Sequence, residues 1–518
     1  MPNLVDDLID QAARYKKDRS QWESVWQDLA PLFLPRRVHE FSRIDAPQSM
    51  TEQVFNSIGI FANERLAAAL GSLLINPAVQ WFALEVPELR DKLSHEEATY
   101  VRETQDDIRS ELDSAETGFH PQMHETFLDV TSTGTAVMFE GLRDDENLYF
   151  ATLPIAHALI GEDAYGRVNR VYRYLEFDEY QAKQYYGDAL PKLPSQGEGY
   201  NGKHCFLNAV VPEGDRWKSY HIMQNPRKLI KTSQFFDFPY MCPRWSKLSG
   251  ETYGRSPALT ALPEVRMLQR MSKVYLQAAQ RAARPPMMAP DDGFLAPLRT
   301  APDSLNIYRA SSRLASVGIQ ALPGGNPQLA QIDIQAREEV VKRIFYVDLF
   351  MSLISRGDAS PLKAAEVMGR EQEAMLGLTP IIARLQQELL APIINRTFRL
   401  LQRAGKLPSI PDTLQGKNIT VRFVSPSVIA QRMSEVNTQA RFLQLLAGIA
   451  SLDARAAKLV NGEIMGRRVA AALHIHPDIL RPTGEVEKLV NDEMQQRQAM
   501  QAAQVAETAS KAVGGLGG

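Results

Sequence analysis

The stretch that most constrains this chain runs from Glu251 to Asp358: a Tyr253-Gly254-Arg255 lead-in, a long helical pattern, a proline-rich excursion and a helical pattern back. On a wheel of about 100° per residue, Met267, Leu268, Met271, Val274, Tyr275, Ala278 and Ala282 share one broad apolar flank, with Leu262 an exception. Arg266, Arg270, Lys273, Arg281 and Arg284 fall within a sector of roughly 80°, well away from the apolar centre. Pro285, Pro286, Pro290, Pro297, Pro302, Pro323 and Pro327 then forbid long helix and leave room for short strands such as Leu305 to Tyr308. A helix resumes near Gln331 and runs to about Ser355. Two helices flanking such a projection each keep a second, partly apolar or charge-patterned side. Either identical copies cover those sides, or the pair is buried inside one globular domain.

At 518 residues the chain exceeds one compact core and predicts about two to four domains or subdomains. The 58 Lys and Arg nearly balance 61 Asp and Glu, so the basic excess of a protein that grips nucleic acid is missing and any DNA contact is local or weak. Cys205 and Cys242 form no CxxC pair, which argues against a disulfide framework and a structural zinc site. Met1 to Asp10 carries acids where a secretory signal has a basic region and an apolar run. The apolar run Leu66 to Ile75 is too short to span a bilayer, so a soluble protein is expected, with no membrane partner.

The rest reads as mixed α+β, mainly helical. Leu4, Leu8, Ala12, Tyr15, Trp22, Trp26 and Leu29 recur at helical spacing, with Pro31 and Pro35 as the stop. A second helix covers Thr51 to Ile75, where Ala67, Ala68, Ala69 and Gly71 invite close approach of another helix, and Val79 to Val86 is strand-like. Ser94 to Glu116 is a charged surface helix, and Pro121 to Thr131 another that ends at Gly134. The period then changes to two, predicting strands at Ala136 to Glu140, Tyr149 to Thr152, Ala158 to Gly161, Arg167 to Leu175, Phe206 to Val211 and Trp217 to Met223. A hairpin turn at Glu162 to Gly166 and a short helix at Asp178 to Tyr186 interrupt them. Ser360-Pro361 starts a helix that can run to Ala404, kinked or broken at Pro380 and Pro392, before a strand at Ile419 to Val424. Ser425-Pro426 opens a helical region through Leu473, and the tail after Glu485 is a lone or frayed helix followed by disorder.

No GxGxxG after a strand, GxxxxGK[ST], GxSxG or HExxH occurs, which lowers the case for an enzyme. His474 and His476 read as a helix end rather than a metal pair, and Asp291-Asp292-Gly293 as a turn rather than a calcium loop. No cofactor, metal or catalytic residue is expected. The basic stripe either meets a phosphate backbone or pairs with acids of a neighbouring helix such as Glu338, Glu339 or Asp348, and whole-chain neutrality favours pairing.

An ordered series of residues carries a resemblance: Trp22 and Trp26 ahead of Pro35; Leu70 through Pro77 into Trp81-Phe82; Pro154, Gly161-Glu162-Asp163, Gly166 and Arg173. It continues through Pro243-Arg244-Trp245, Glu251, Tyr253 to Pro257, Arg284-Pro285-Pro286, Glu366-Val367, Glu371 and Glu373, then Glu388, Pro392, Arg396 to Gly405, and Pro408. In this order the chain resembles the portal, or head-to-tail connector, proteins of short-tailed, T7-like bacteriophages. The Pro290 to Pro327 projection and the tail match that pattern poorly.

The resemblance implies a ring-shaped homo-oligomer, usually of twelve subunits, at one capsid vertex of the virion, made in the host bacterial cytoplasm. Double-stranded DNA would be packaged and later ejected through it. It assigns residues 1–250 and 361–424 to a wing, 251–284 and 331–355 to two stem helices, and 285–330 to a clip. A channel loop covers 356–360, a crown 425–485 and a C-terminal tail 486–518. Arg356, Gly357 and Asp358 become the channel loop, and the stripe Arg266, Arg270, Lys273, Arg281, Arg284 with Glu338 and Glu339 becomes inter-subunit or DNA-facing. Pro290, Phe294, Leu305, Tyr308 and Ile319 become docking residues of the clip. Implied partners are the terminase large subunit, the major capsid and scaffolding proteins, and tail adaptor and nozzle proteins. The competing readings are a motif-less α/β enzyme centred on Asp348, Glu366 and Glu371, and a virion scaffold protein that forms no ring.

Overall fold

The computed structural model describes residues 2–41, 54–89, 93–143, 146–193, 202–290, 327–349 and 377–423, with short stretches at 301, 304–308 and 320–321 and scattered positions from 441 to 500. It is a mixed helix and strand protein that divides into two compact units, residues 1–76 with 111–400, and residues 77–110 with 401–518.

In the first unit, α1 (Pro2–Phe33) follows its apolar spacing but passes through Pro31, and Pro35 instead opens a one-turn helix over Pro35–Arg37. A proline near a helix end forfeits one backbone bond, which the burial of Leu29, Ala30 and Phe33 around it outweighs. Helix α2 (Ile58–Leu74) begins seven residues later than Thr51, because the Asn56 side chain accepts from the Ile58 amide at 2.9 Å and starts the helix there, leaving Val54 outside. Its close approach is not at Gly71, which has open space, but at Gly59, where an added Cβ would meet the Leu32 carbonyl oxygen at 2.6 Å. Helix α4 (Phe119–Thr133) ends at Gly134 in the left-handed region; α3 (His95–Asp113) belongs largely to the second unit.

The six expected strands are present as β2 (Val137–Leu142), β3 (Leu148–Leu153), β4 (Ala158–Glu162), β5 (Val168–Phe177), β6 (His204–Glu213) and β7 (Arg216–Met223). Two more, β8 (Lys228–Phe235) and β9 (Tyr240–Met241), were not expected: β8 lies at a sheet edge with polar Lys228, Lys231, Thr232 and Gln234, and β9 is too short for a period. Strands β4 to β8 form an antiparallel five-stranded meander in sequence order. One face buries Leu159, Tyr172, Leu207 and Ile222 under Val5, Leu8 and Ala12 of α1. The other buries Leu175, Phe206 and Met223 under α5 (Glu179–Tyr186), whose N-terminus is closed by a capping box between Asp178 and Gln181. A three-stranded sheet, in the order β3-β2-β9, stands beside α4.

The second unit holds α3 (His95–Asp113) and a two-stranded antiparallel sheet of β1 (Phe82–Glu85) and β13 (Thr420–Phe423). Helix α3 is not simply a surface helix: Tyr100, Val101, Ile108 and Leu112 are buried. The described positions between 484 and 500 in this unit are nearly all helical and exposed.

Helices α6 (Pro257–Ala283) and α7 (Pro327–Ile344) pack on each other and carry a small sheet, in which β10 (Met287–Pro290) runs parallel to β11 (Leu305–Tyr308) and antiparallel to β12 (Gln320–Ala321). Helix α6 starts as its sequence demands: Ser256 accepts from the Leu259 amide at 2.9 Å, and Pro257 takes the first turn. Pro327 likewise is not a breaker but the first residue of α7. That helix is interrupted after Ile344, where Phe345 turns inward to stack on Phe33 at 5.7 Å and Tyr346 takes a positive φ of 56°; residues 347–349 are helical again, and the expected end at Ser355 lies outside the described residues. Helix α8 (residues 377–403) runs through Pro380 and Pro392, and the strain is absorbed in a π turn over Gln386–Leu390.

Candidate functional site

The hairpin of α6 and α7 leaves its core partway along. Buried positions of α6 are Pro257, Ala258, Ala261, Leu262, Val265, Leu268 and Ser272, and none follows Ser272. Leu262, the exception on the expected apolar flank, is thus a core residue, while Met267 and Val274 of that flank are exposed at 43% and 62%. Sequence spacing had merged a buried flank near the helix start with an uncovered one farther out. Leu276 on α6 and Ile332 and Val340 on α7 are also exposed, so both helices present apolar surface, at Val274, Leu276 and Ile332 toward the tip and at Met267 and Val340 nearer the base.

The charge stripe lies on this hairpin, and within one chain its members and the neighbouring acids meet other partners. Arg266 reaches Asp28 of α1 at 2.7 Å, Glu339 pairs with Lys342 at 2.5 Å, and Glu264 is held by Arg337 at 2.8 Å. Glu338 accepts from Asn56 Nδ2 at 2.7 Å. Asn56 and Gln269 of α6 also exchange backbone and side-chain hydrogen bonds, so the start of α2 ties both hairpin helices together. Lys273 lies over the Phe55 ring at 5.4 Å from its centroid. Arg270, Arg281 and Arg284 are exposed. At the tip, Pro290 closes β10, Leu305 opens β11 with its side chain more than half exposed, and Tyr308 closes β11. Phe294, Ile319, Arg356, Gly357, Asp358, Glu366, Glu371, His474, His476 and Asp291 to Gly293 lie outside the described residues. Asp348 is exposed on the helical residues 347–349 that follow the turn at Phe345 and Tyr346. Among the described residues, no cluster of three His, Cys, Asp or Glu could hold a metal, and no helix is long and apolar enough to cross a membrane.

The residues that fix the base of the hairpin were not singled out by sequence for any role, although most belong to the ordered series above. Arg244, only 2% exposed, makes a bidentate pair with Glu388 at 2.7 and 3.1 Å, bonds Glu162, and donates to the Gly166 carbonyl at 3.2 Å. Lys247 shares Glu162, and Arg384 shares Glu388 at 3.2 Å. The π turn of α8 aims Glu388 into this node, and the β4–β5 hairpin supplies Glu162. A few residues on, the backbones of Gly134 and Gly254 touch: a Cβ at Gly254 would lie 2.3 Å from the Gly134 oxygen. Thr135 Oγ1 accepts from the Gly254 amide at 2.7 Å, and Trp26 packs edge-on to Tyr253 at 5.3 Å while donating to the Thr133 carbonyl at 3.0 Å. Sequence-distant pieces of α1, α4, β4 and α8 thus clamp the segment that launches α6.

Farther along α8, Arg396 donates to the carbonyls of Glu140 and Asp237 at 3.1 and 2.9 Å, and Thr397 donates to Glu140 Oε1 at 2.8 Å. Burial of Glu140, only partly offset by Arg396 and the Thr397 hydroxyl, pushes its carboxyl up to about 8. An unfolded glutamate gives up its proton near 4.5, whereas the folded one keeps it to about 8, so stability falls as pH rises between those values. Glu140→Gln is expected to remove that slope, adding on the order of a few kcal/mol at pH 9 and little at pH 4. Thermal melts of both proteins at the two pH values check this; an equal gap at both would mean the folded carboxyl titrates as the unfolded one does.

The sequence pattern of the family described as "Bacteriophage head to tail connecting protein" matches residues 5–480. The chain is 27% identical over 514 residues to the "Probable portal protein" of Bordetella phage BPP-1, covering 95% of this chain and 91% of that one. It is 24% identical over 514 residues to the "Portal protein" of Salmonella phage epsilon15, with the same coverage. Among solved structures, a chain of "Virion of native gene transfer agent (GTA) particle" aligns at 14% identity with a TM-score of 0.37, over 84% of this chain and 93% of that one. A chain of "Neck of native GTA particle computed with C12 symmetry" aligns at 13% identity with a TM-score of 0.36, over 76% and 88%.

Proposed function

The chain belongs to the bacteriophage head-to-tail connecting protein family, and on that basis we propose that it builds a closed ring, of twelve copies, at one vertex of the capsid. The ring is the conduit for packaging and ejecting double-stranded DNA. The observation that carries the proposal is the hairpin of α6 and α7, whose helices leave Met267, Val274, Leu276, Ile332 and Val340 uncovered while its base is clamped. Apolar flanks on both helices, edged by the Arg266 to Arg284 stripe on one and Glu338 and Glu339 on the other, suit packing against identical neighbours. A net charge of −3 suits a bore that DNA must slide through, since each neutralised phosphate would add salt-dependent affinity and brake movement.

In this reading the small sheet of β10, β11 and β12 is the clip, which meets the terminase large subunit during packaging and tail adaptor and nozzle proteins afterwards. Residues 1–250 and 361–424 form the wing toward the major capsid and scaffolding proteins, residues 425–485 a crown, and Arg356, Gly357 and Asp358 a loop in the channel. The chain performs no chemistry of its own, and a separate ATPase supplies the work.

The test is the mass of the purified 58.0 kDa chain in solution, followed by particle images. A large particle with a central hole is expected, and a lone chain or a dimer would sink the proposal. Arg270→Glu or Glu338→Arg alone is expected to lower the ring fraction at least tenfold at fixed concentration, and the double swap to restore it. Rings that form equally well with either single change would exclude the stripe from the subunit contact.

A further inference from the structure

Beside the Arg244 node lies a half-open cavity of about 930 Å³. Arg167, Arg244, Lys247 and Arg384 line it together with the rings of Tyr165 and Tyr240, and Glu388 is the carboxylate in its wall. Each acid of the node is divided between two cations, Glu162 between Arg244 and Lys247, and Glu388 between Arg244 and Arg384. Asp163, in the adjoining turn, spends its carboxylate on the amides of Tyr165 and Arg167, and it faces Arg167 and Arg170. Counting that acid with Arg170 leaves two positive charges in excess around the cavity. Exposed side chains would lose such an excess to solvent and salt, but in a recess whose central arginine is buried it is screened far less.

The chemistry that answers this excess is a phosphate, whose oxygens accept from guanidinium forks in pairs. The volume is near the top of the range for small-molecule sites, about 300–1,000 Å³, and well beyond one phosphate. Tyr165, 89% exposed at the hairpin tip that edges the cavity, offers a flat face for a ring. We propose that the cavity binds a phosphate ester bearing a flat ring, of the nucleoside monophosphate class. The source is either a free nucleotide or a nucleotide within a single strand. This assignment is independent of ring formation.

The experiment is calorimetric titration of the full-length protein with adenosine 5′-monophosphate, inorganic phosphate, adenosine, and a single-stranded oligonucleotide without terminal phosphates. The monophosphate is expected to bind, phosphate more weakly by tenfold or more, and adenosine not at all. Arg167→Gln, on an exposed turn that carries no ion pair of the node, and Arg384→Gln are each expected to weaken the monophosphate at least tenfold. Tyr165→Ala should weaken it several-fold while leaving inorganic phosphate unchanged. An oligonucleotide that displaces the monophosphate identifies a strand as the source, and one that does not identifies the free nucleotide. No heat from millimolar monophosphate, or affinity unaltered by Arg167→Gln, overturns the assignment.

Discussion

Arg244→Met is expected to lower the unfolding free energy by about 3–5 kcal/mol, the cost of stripping one partner from a buried charge cluster. The size follows from burial: the guanidinium sits at 2% exposure between Glu388 and Glu162, and its loss leaves two carboxylates facing each other. Lys247 and Arg384 remain to soften the loss, which places the effect toward the lower end. Urea unfolding followed by tryptophan fluorescence measures it, since Trp245 is the next residue and Trp22 and Trp26 pack against Tyr253 nearby. Adding Glu388→Gln to the first change should recover part of the loss, because one of the stranded charges is then gone. A loss below about 1 kcal/mol would mean that this node does not hold the base of α6.

Gly254→Ala should be still more damaging, because the new methyl would lie 2.3 Å from the Gly134 oxygen and 3.0 Å from Arg244 Cβ. Backbone cannot yield as a side chain can, so the segment between β9 and α6 must move, and a loss above about 3 kcal/mol is expected, with much of the protein insoluble. Gly250→Ala is the informative control. Its φ is 86° with no atom within 4 Å of the added Cβ, so it carries only the left-handed penalty of about 1–2 kcal/mol. Equal losses at the two positions, read from the same urea curves, would show that close approach contributes nothing.

Local signals in the chain were legible where they act over a few residues. The strand Leu305 to Tyr308, the hairpin turn at Glu162 to Gly166 and the short helix from Asp178 to Tyr186 all follow from spacing and side-chain chemistry alone. What spacing could not carry was decided from far away. Leu262 joins the core while Val274 stays exposed, because burial ends where α6 leaves the body of the unit, a boundary no wheel displays. Helix α7 is interrupted after Ile344 because Phe345 finds Phe33, and α1 survives Pro31 because Trp26 and Phe33 anchor it. The Arg244 node draws on residues 82 and 144 positions away, so its members read as isolated charges until the chain is folded. The resemblance had marked most of these positions without giving any of them a task.

The π turn at Gln386–Leu390 sets a rule of length. Upstream of its end, Glu388 must point at Arg244; downstream, Arg396 and Thr397 must point at Glu140. A regular helix advances about 100° per residue, so one residue gained or lost in this interval would swing one group of partners a quarter-turn out of phase with the other. Like a key cut at both ends, α8 tolerates changes of letter along its outer edge but none of spelling length.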